Sequence, residues 1–337
     1  MSTAAGSRRH ALAAVLLMSG LVVVVVLAAL VFGAYPLAIT DAIAALLAGP
    51  AAGGEAGTVI WNLRLPRIAA GLLVGMALSV AGAAYQGMFR NPLVSPDILG
   101  VSAGAGLGAA IAILLGLPLT AVQACAFGGG LLAVGCVYAV AARVRHHDPV
   151  LVLVLAGVAV GTLFAAGISL AKVLADPSVQ LPSITFWLLG GLSAVTPGDL
   201  AVAAPLMLCG LAPAWLLRWR VNLLTLADDE AQAMGINVAR LRLVLVASAT
   251  LVTAAAVSIA GIVGWIGLVI PHSARLLVGP EFSRLLPATG LLGAGFLVAA
   301  DTLARSIAPV ELPLGILTAI VGAPVFLWLL ARSGRSA

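Results

Sequence analysis

Charge is what this sequence has least of. Only 9% of its 337 residues are Asp, Glu, Lys or Arg, against 62% that are hydrophobic, and the mean hydropathy is +1.18. A soluble domain carries about 25% charged residues, so a water-soluble globule is excluded and the class is a polytopic membrane protein. Aromatics are scarce at 5%, and the net charge of +5 comes from 17 basic and 12 acidic residues spread along the chain. No dense basic patch interleaved with aromatics argues for nucleic acid. The excess instead reads as cytosolic loops facing anionic lipid. Cys125, Cys136 and Cys209 lie inside apolar runs without metal spacing and read as small core residues. His10, His146, His147 and His272 make no zinc or haem motif, and His146-His147 beside Asp148 reads as a wet turn. No phosphate-binding loop, carboxylate pair or nucleophile–base arrangement stands out. The expectation is a non-enzyme with no metal or cofactor of its own.

What the chain has in quantity is uncharged length. Residues 11–35 are rich in Leu and Val, too long for a secretory leader, and read as the first helix. The run 68–89 follows Arg64-Leu-Pro-Arg67 and carries Gly71-x-x-x-Gly75, a small-residue packing face. Residues 98–142 hold no charge and exceed one helix, so Gly116-Leu-Pro118 divides them into a hairpin whose first half has Gly100, Gly104 and Gly108 four apart. Residues 149–171 and 198–217 span, with Phe186–Gly191 as a short interfacial or re-entrant piece between them. Residues 243–274 divide into a full helix and a short one at Gly261, Gly264, Gly267 and Pro271. Residues 285–305 and 312–331 complete the set. The expectation is one all-α domain, 1–337, of about ten transmembrane helices.

Charge tests that topology. With the N-terminus inside, Arg8, Arg9, Arg90, Arg143, Arg145, Arg218, Arg220, Arg240, Arg242, Arg275, Arg284, Arg332 and Arg335 face the cytosol, and Arg64, Arg67, Lys172 and Arg305 do not. The bias follows the positive-inside rule. Arg64, Arg67 and Arg305, at outer helix ends, break it. They either snorkel or pair with Asp301 and Glu311, or they form an external rim for an acidic partner. Asp301 is the best buried acid and would be the relay of an ion-coupled carrier, yet Arg305 beside it favours structural pairing.

One stretch stands apart, Leu226-Ala-Asp-Asp-Glu-Ala-Gln-Ala-Met-Gly235. Asp228, Asp229 and Glu230 share a short amphipathic segment with Leu226, Ala231 and Met234, between Arg218 and Arg220 on one side and Arg240 and Arg242 on the other. So short a helix is marginal alone. It is either a solvated loop or a contact for a cytosolic partner that supplies energy the chain lacks.

Several blocks occur in order: Arg64-Leu-Pro-Arg67, Gly82 to Leu93 with Gln86-Gly-Met-Phe-Arg-Asn-Pro92, Pro96 to Gly104, Phe186-Trp-Leu-Leu-Gly-Gly191, Ala231-Gln-Ala-Met-Gly235, Gly264 to His272 with Arg275, and Glu311 to Phe326. Over roughly residues 10–332 they resemble the permease subunit of the iron–siderophore, haem and cobalamin ABC importers, the FecCD-like permeases of type II import fold. The resemblance implies ten helices, a dimer with an identical or paralogous second permease, two cytosolic ATPase subunits that use ATP and Mg, and an external substrate-binding protein. It implies a bacterial cytoplasmic membrane location with both termini cytosolic, and a ferric siderophore cargo, with haem or cobalamin as the alternative. It places ATPase coupling at about 221–236, including Leu226, Asp228, Asp229, Glu230, Ala231, Met234 and Gly235, where relatives often have Leu-Gly in place of Leu226-Ala227. Arg64, Arg67 and Arg305 resemble the arginines that meet the binding protein's acids. Tyr85, Gln86, Asn91 and Pro92 become candidates for the translocation path or for helix bridging, and Gly100 and Gly104 for helix packing.

Overall fold

In a bilayer the backbone must satisfy itself, which leaves long uncharged runs little choice but the helix. The computed structural model describes residues 2–33, 35–50, 53–144 and 149–333, and the charged turn expected at Arg145, His146, His147 and Asp148, like Arg335, lies outside them. Among the described residues there is no strand. The helices are α1 (Ser2–Val31), α2 (Ile39–Ala48), α3 (Gly54–Met88), α4 (Val101–Leu114), α5 (Leu119–Ala141), α6 (Pro149–Leu174) and α7 (Gln180–Leu189). They continue with α8 (Pro197–Leu216), the six-residue α9 (Asp228–Ala233), α10 (Val238–Ala260), α11 (Ile266–Val278), α12 (Phe282–Ala304) and α13 (Leu314–Ser333).

Seven of these, α1, α3, α5, α6, α8, α10 and α12, are long and apolar enough to cross a membrane. That corrects the expectation of ten. The two longest uncharged runs divide unequally. The 14 residues of α4 and the 13 of α11 rise about 20 Å each, short of a hydrocarbon core of ~30 Å. The apolar part of α13, Leu314–Leu329, is also short. Each half-helix follows an irregular lead. Before α4, Pro92 and Pro96 offer no N–H, and Gly100 turns at φ 76°. Before α11, the chain leaves α10 at Gly261 (φ 65°) and passes Trp265 at φ 70°. At membrane depth such backbone survives where protein encloses it or where it lines a cavity.

Helices α3, α10 and α12 form the centre, with 67–78% of their apolar windows buried, whereas α1, α5, α6 and α8 bury 17–28% and turn most of their surface outward. Small residues let the central helices approach. A Cβ on Gly82 of α3 would overlap the Gly267 carbonyl of α11, and one on Gly104 of α4 would overlap that of Gly129 on α5. Proline interrupts the ladder in three of the spans, α3, α8 and α12. Pro66 cannot donate inside α3, and the turn before it widens to a π-helix, Val59–Arg64, in which the Leu65 N–H reaches the Ile60 carbonyl. In α8, Pro205 and Pro213 each remove a ladder donor, and Ser248 of α10 donates to the Gly210 carbonyl between them, tying the two helices together.

Candidate functional site

The ion pairs of the described residues gather at the two ends of this apolar body. At one end Arg64 and Arg67, three apart on α3 and so on one face, meet the end of α12 and the chain after it. Arg67 donates through Nε to both oxygens of Asp301 at 2.8 Å and through its terminal nitrogens to Glu311 at 3.1 and 2.5 Å. The Asp301 side chain is 3% exposed, Arg67 12% and Glu311 34%. Arg305, one turn after Asp301, lies 3.6 Å from it and donates to the Ala29 carbonyl at 2.6 Å. Arg64 donates to the carbonyls of Leu30, Val31 and Tyr35. These carbonyls close the C-terminus of α1, where a helix leaves acceptors unpaired and its dipole favours cations.

Each of the three arginines therefore has partners within the chain. Arg67 pairs with Asp301 and Glu311, one of the two readings the sequence left open. Arg64 and Arg305 serve α1, which no local pattern in the sequence announced.

The other end carries the acidic stretch. After α8 the chain makes a helical turn, Arg218–Val221, and a 3-10 turn, Asn222–Thr225, before α9. Val221, Leu224 and Ala231 are buried and seat the segment on the body. The Asn222 side chain accepts from the Phe282 N–H at 2.7 Å, fastening it to the start of α12. Asp229, Glu230, Met234 and Gly235 are exposed. Asp228 differs from its neighbours. It accepts from Arg242 of α10 at 2.8 and 2.9 Å and from Arg90, just past α3, at 2.6 Å. Arg242, and after it Arg90, hold the Asp228 carboxyl below the usual carboxylate range. Arg90 also donates to the Leu224 carbonyl at 2.6 Å.

The remaining path candidates fall into two groups. Tyr85 and Gln86 are buried, at 1% and 2% exposure. Tyr85 stacks on Phe89, with centroids 5.7 Å apart. Gln86 accepts from Arg275 of α11 at 2.6 Å and donates to the Leu268 carbonyl at 3.1 Å, so it bridges helices. Asn91 and Pro92 are exposed, and with Arg90, Asn222, Thr225 and Arg275 they line a cavity of about 340 Å³ beside the acidic segment. Gly104 sits in the α4–α5 crossing and Gly100 in the turn that starts α4. Arg90, Arg242 and Arg275 hold the contacts of this end, and no local pattern in the sequence pairs them with Asp228 or Gln86.

Arg90, Arg218, Arg220, Arg240, Arg242, Arg275 and Arg284 gather around the acidic segment, so the positive-inside rule assigns this end to the cytosol. Among the described residues no group of three His, Cys, Asp or Glu could hold a metal.

An all-helical body with seven helices long and apolar enough to cross a bilayer, braced at its two ends by ion pairs, is a multi-pass membrane protein. The chain belongs to the FecCD transport family, whose sequence model matches residues 21–332. It is 44% identical over 273 residues to the cobalamin import system permease protein BtuC of Halobacterium salinarum, covering 81% of this chain and 73% of that one. It is also 44% identical over 275 residues to a probable iron chelatin transport system permease protein of Helicobacter pylori, covering 82% and 83%. Among solved structures it matches an inward-facing conformation of a metal-chelate type ABC transporter with a TM-score of 0.84 and 36% identity, over 94% of this chain and 98% of that one. It is thus an inner-membrane permease of the type II import fold.

Proposed function

We propose that the chain is the permease of an ATP-driven importer of metal chelates. The observation that carries this is α9, a short acidic helix seated on the cytosolic end with Asp229, Glu230 and Met234 turned to solvent. A separate ATPase would hold that face, and closure of two ATPase subunits would move the helix ends it is fixed to. The fit to a metal-chelate ABC transporter supports this assignment. A second permease subunit, identical or paralogous, would complete the path, and both termini would lie in the cytosol.

Within this class we favour a ferric siderophore as cargo. Relatives at 44% identity are named for cobalamin and for an iron chelatin, and one at 42% for molybdate; the reading favours the metal-chelate chemistry of the first two. An external binding protein would deliver it at the Arg67 end. Because Glu311 is the more exposed partner of Arg67, an acidic lobe would dock by exchanging with Glu311 rather than by meeting a free guanidinium. Asp301, held by Arg67 and close to Arg305, fits a structural role better than a proton relay.

The test is reconstitution of the permease with its ATPase and binding protein in proteoliposomes, followed by uptake of an iron-55 siderophore, haemin and cyanocobalamin. The expected result is ATP-dependent accumulation of one chelate. Uphill uptake by the permease alone would overturn the reading.

A further inference from the structure

The three acids of α9 do not do the same thing. Asp229 and Glu230 face solvent, whereas Asp228 faces the body and receives two arginines. Arg242 grips it with both terminal nitrogens, a two-point geometry that fixes orientation as well as distance. Arg90 grips the same carboxylate and also the Leu224 carbonyl on the approach to α9. It does so from a left-handed backbone, φ 51°, which a non-glycine residue adopts at some cost. One turn back along α3, Gln86 is fixed to Arg275 and to the Leu268 carbonyl of α11.

These contacts form one line. It runs from α9 through Asp228 to the start of α10 and to the end of α3, and from α3 through Gln86 to α11. The backbone itself joins α9 to α10, through a turn at Gly235 with φ 81°. The Arg90 contact is what brings in α3, one of the three central helices, and behind it the half-helix α11.

We propose that Asp228 is a transmission residue rather than a docking one: it makes any displacement of α9 pull on α3 and α10 together. This rests on the reading that α9 seats a partner ATPase. It divides the acidic triplet into an outer pair that meets the partner and an inner member that passes the movement on. The line ends on α11, whose Gly267 touches both α3 and Pro96 of the irregular lead to α4. A pull at the cytosolic end therefore reaches both broken helices.

The experiment uses the assembled complex in proteoliposomes and reads two quantities, the affinity of permease for ATPase and the chelate moved per ATP hydrolysed. For Asp228→Asn, chelate moved per ATP falls about fivefold or more, while assembly affinity stays within about twofold of wild type, the small effect of a partly exposed ion pair. Arg90→Gln reproduces the loss and Asp228→Glu, which keeps the charge, restores most of the ratio. For Asp229→Asn with Glu230→Gln, assembly weakens instead. The proposal is overturned if Asp228→Asn weakens assembly with an unchanged ratio, if it leaves the ratio at the wild-type value, or if Asp228→Glu is as impaired as Asp228→Asn. A wild-type complex that binds no ATPase or moves no chelate on ATP overturns the functional reading and this inference with it. A working wild type with an unchanged Asp228→Asn ratio overturns the inference alone.

Discussion

Asp301→Asn tests what holds the Arg67 end together. The substitution keeps the volume and removes the charge, leaving Arg67 and Arg305 in a site where the aspartate is 3% exposed. Removing one partner of a buried ion pair costs about 3–5 kcal/mol, because the other charge stays desolvated. Glu311 still holds Arg67 through two hydrogen bonds, which places the expected loss at the lower end, about 3 kcal/mol, or a factor of roughly a hundred in the folding equilibrium. The partner variant Arg67→Met should lose as much. The double variant Arg67→Met with Asp301→Leu removes both charges and should recover to within about 1 kcal/mol of wild type, since apolar replacement of a whole buried pair is close to neutral. Unfolding by denaturing detergent in mixed micelles, followed by tryptophan fluorescence, compares wild type, the two single variants and the double variant. A single variant within about 1 kcal/mol of wild type, or a double variant as unstable as either single, would refute the reasoning. Asp301→Asn of full stability but without uptake would instead revive the proton-relay reading.

Three further outcomes follow from the geometry. Gly82→Ala drives a methyl into the Gly267 carbonyl and should cost about 1–3 kcal/mol in the same unfolding assay, whereas Gly128→Ala, with open space around its Cβ, should cost nothing. For Asp228 the folded pKa lies below the unfolded value of 3.8, so its contribution is complete above 3.8 and is lost as pH falls through the lower, folded value. Chelate moved per ATP should thus be flat from about pH 6 to pH 8, and a midpoint inside that window would contradict the clamp. A cysteine at Glu230, in a background without Cys125, Cys136 and Cys209, should react with an impermeant maleimide in inside-out vesicles and stay unlabelled in right-side-out ones.

Much of this architecture is written in short-range patterns. Uninterrupted apolar length announces membrane helices, and Gly116-Leu-Pro118 ends one because proline cannot continue a ladder. The acidic stretch is visible because nothing near it is acidic. What stays hidden depends on distant partners. Arg64 and Arg67 look alike in sequence, yet one closes the end of α1 and the other reaches Asp301, 234 residues on. Asp228 and Asp229 are adjacent, yet only the fold brings Arg90 to the first, 138 residues away. The shortness of α11 was legible in the glycines and proline that divide residues 243–274, whereas that of α4 was not, since an apolar run has the same composition whether it crosses the whole bilayer or half of it.

The arginine cap on α1 bears on how the protein is made. The ribosome delivers α1 to the membrane ahead of α3 and α12, and it is the least buried of the long helices. Arg64 reaches its terminal carbonyls soon after, but Arg305 arrives 276 residues behind Ala29. Until then the first span is held at its outer tip by one guanidinium and is free to drift among the lipids. In nascent chains arrested before α12, photo-crosslinkers on α1 should capture lipid, and completion of the chain should replace those products by crosslinks to α12.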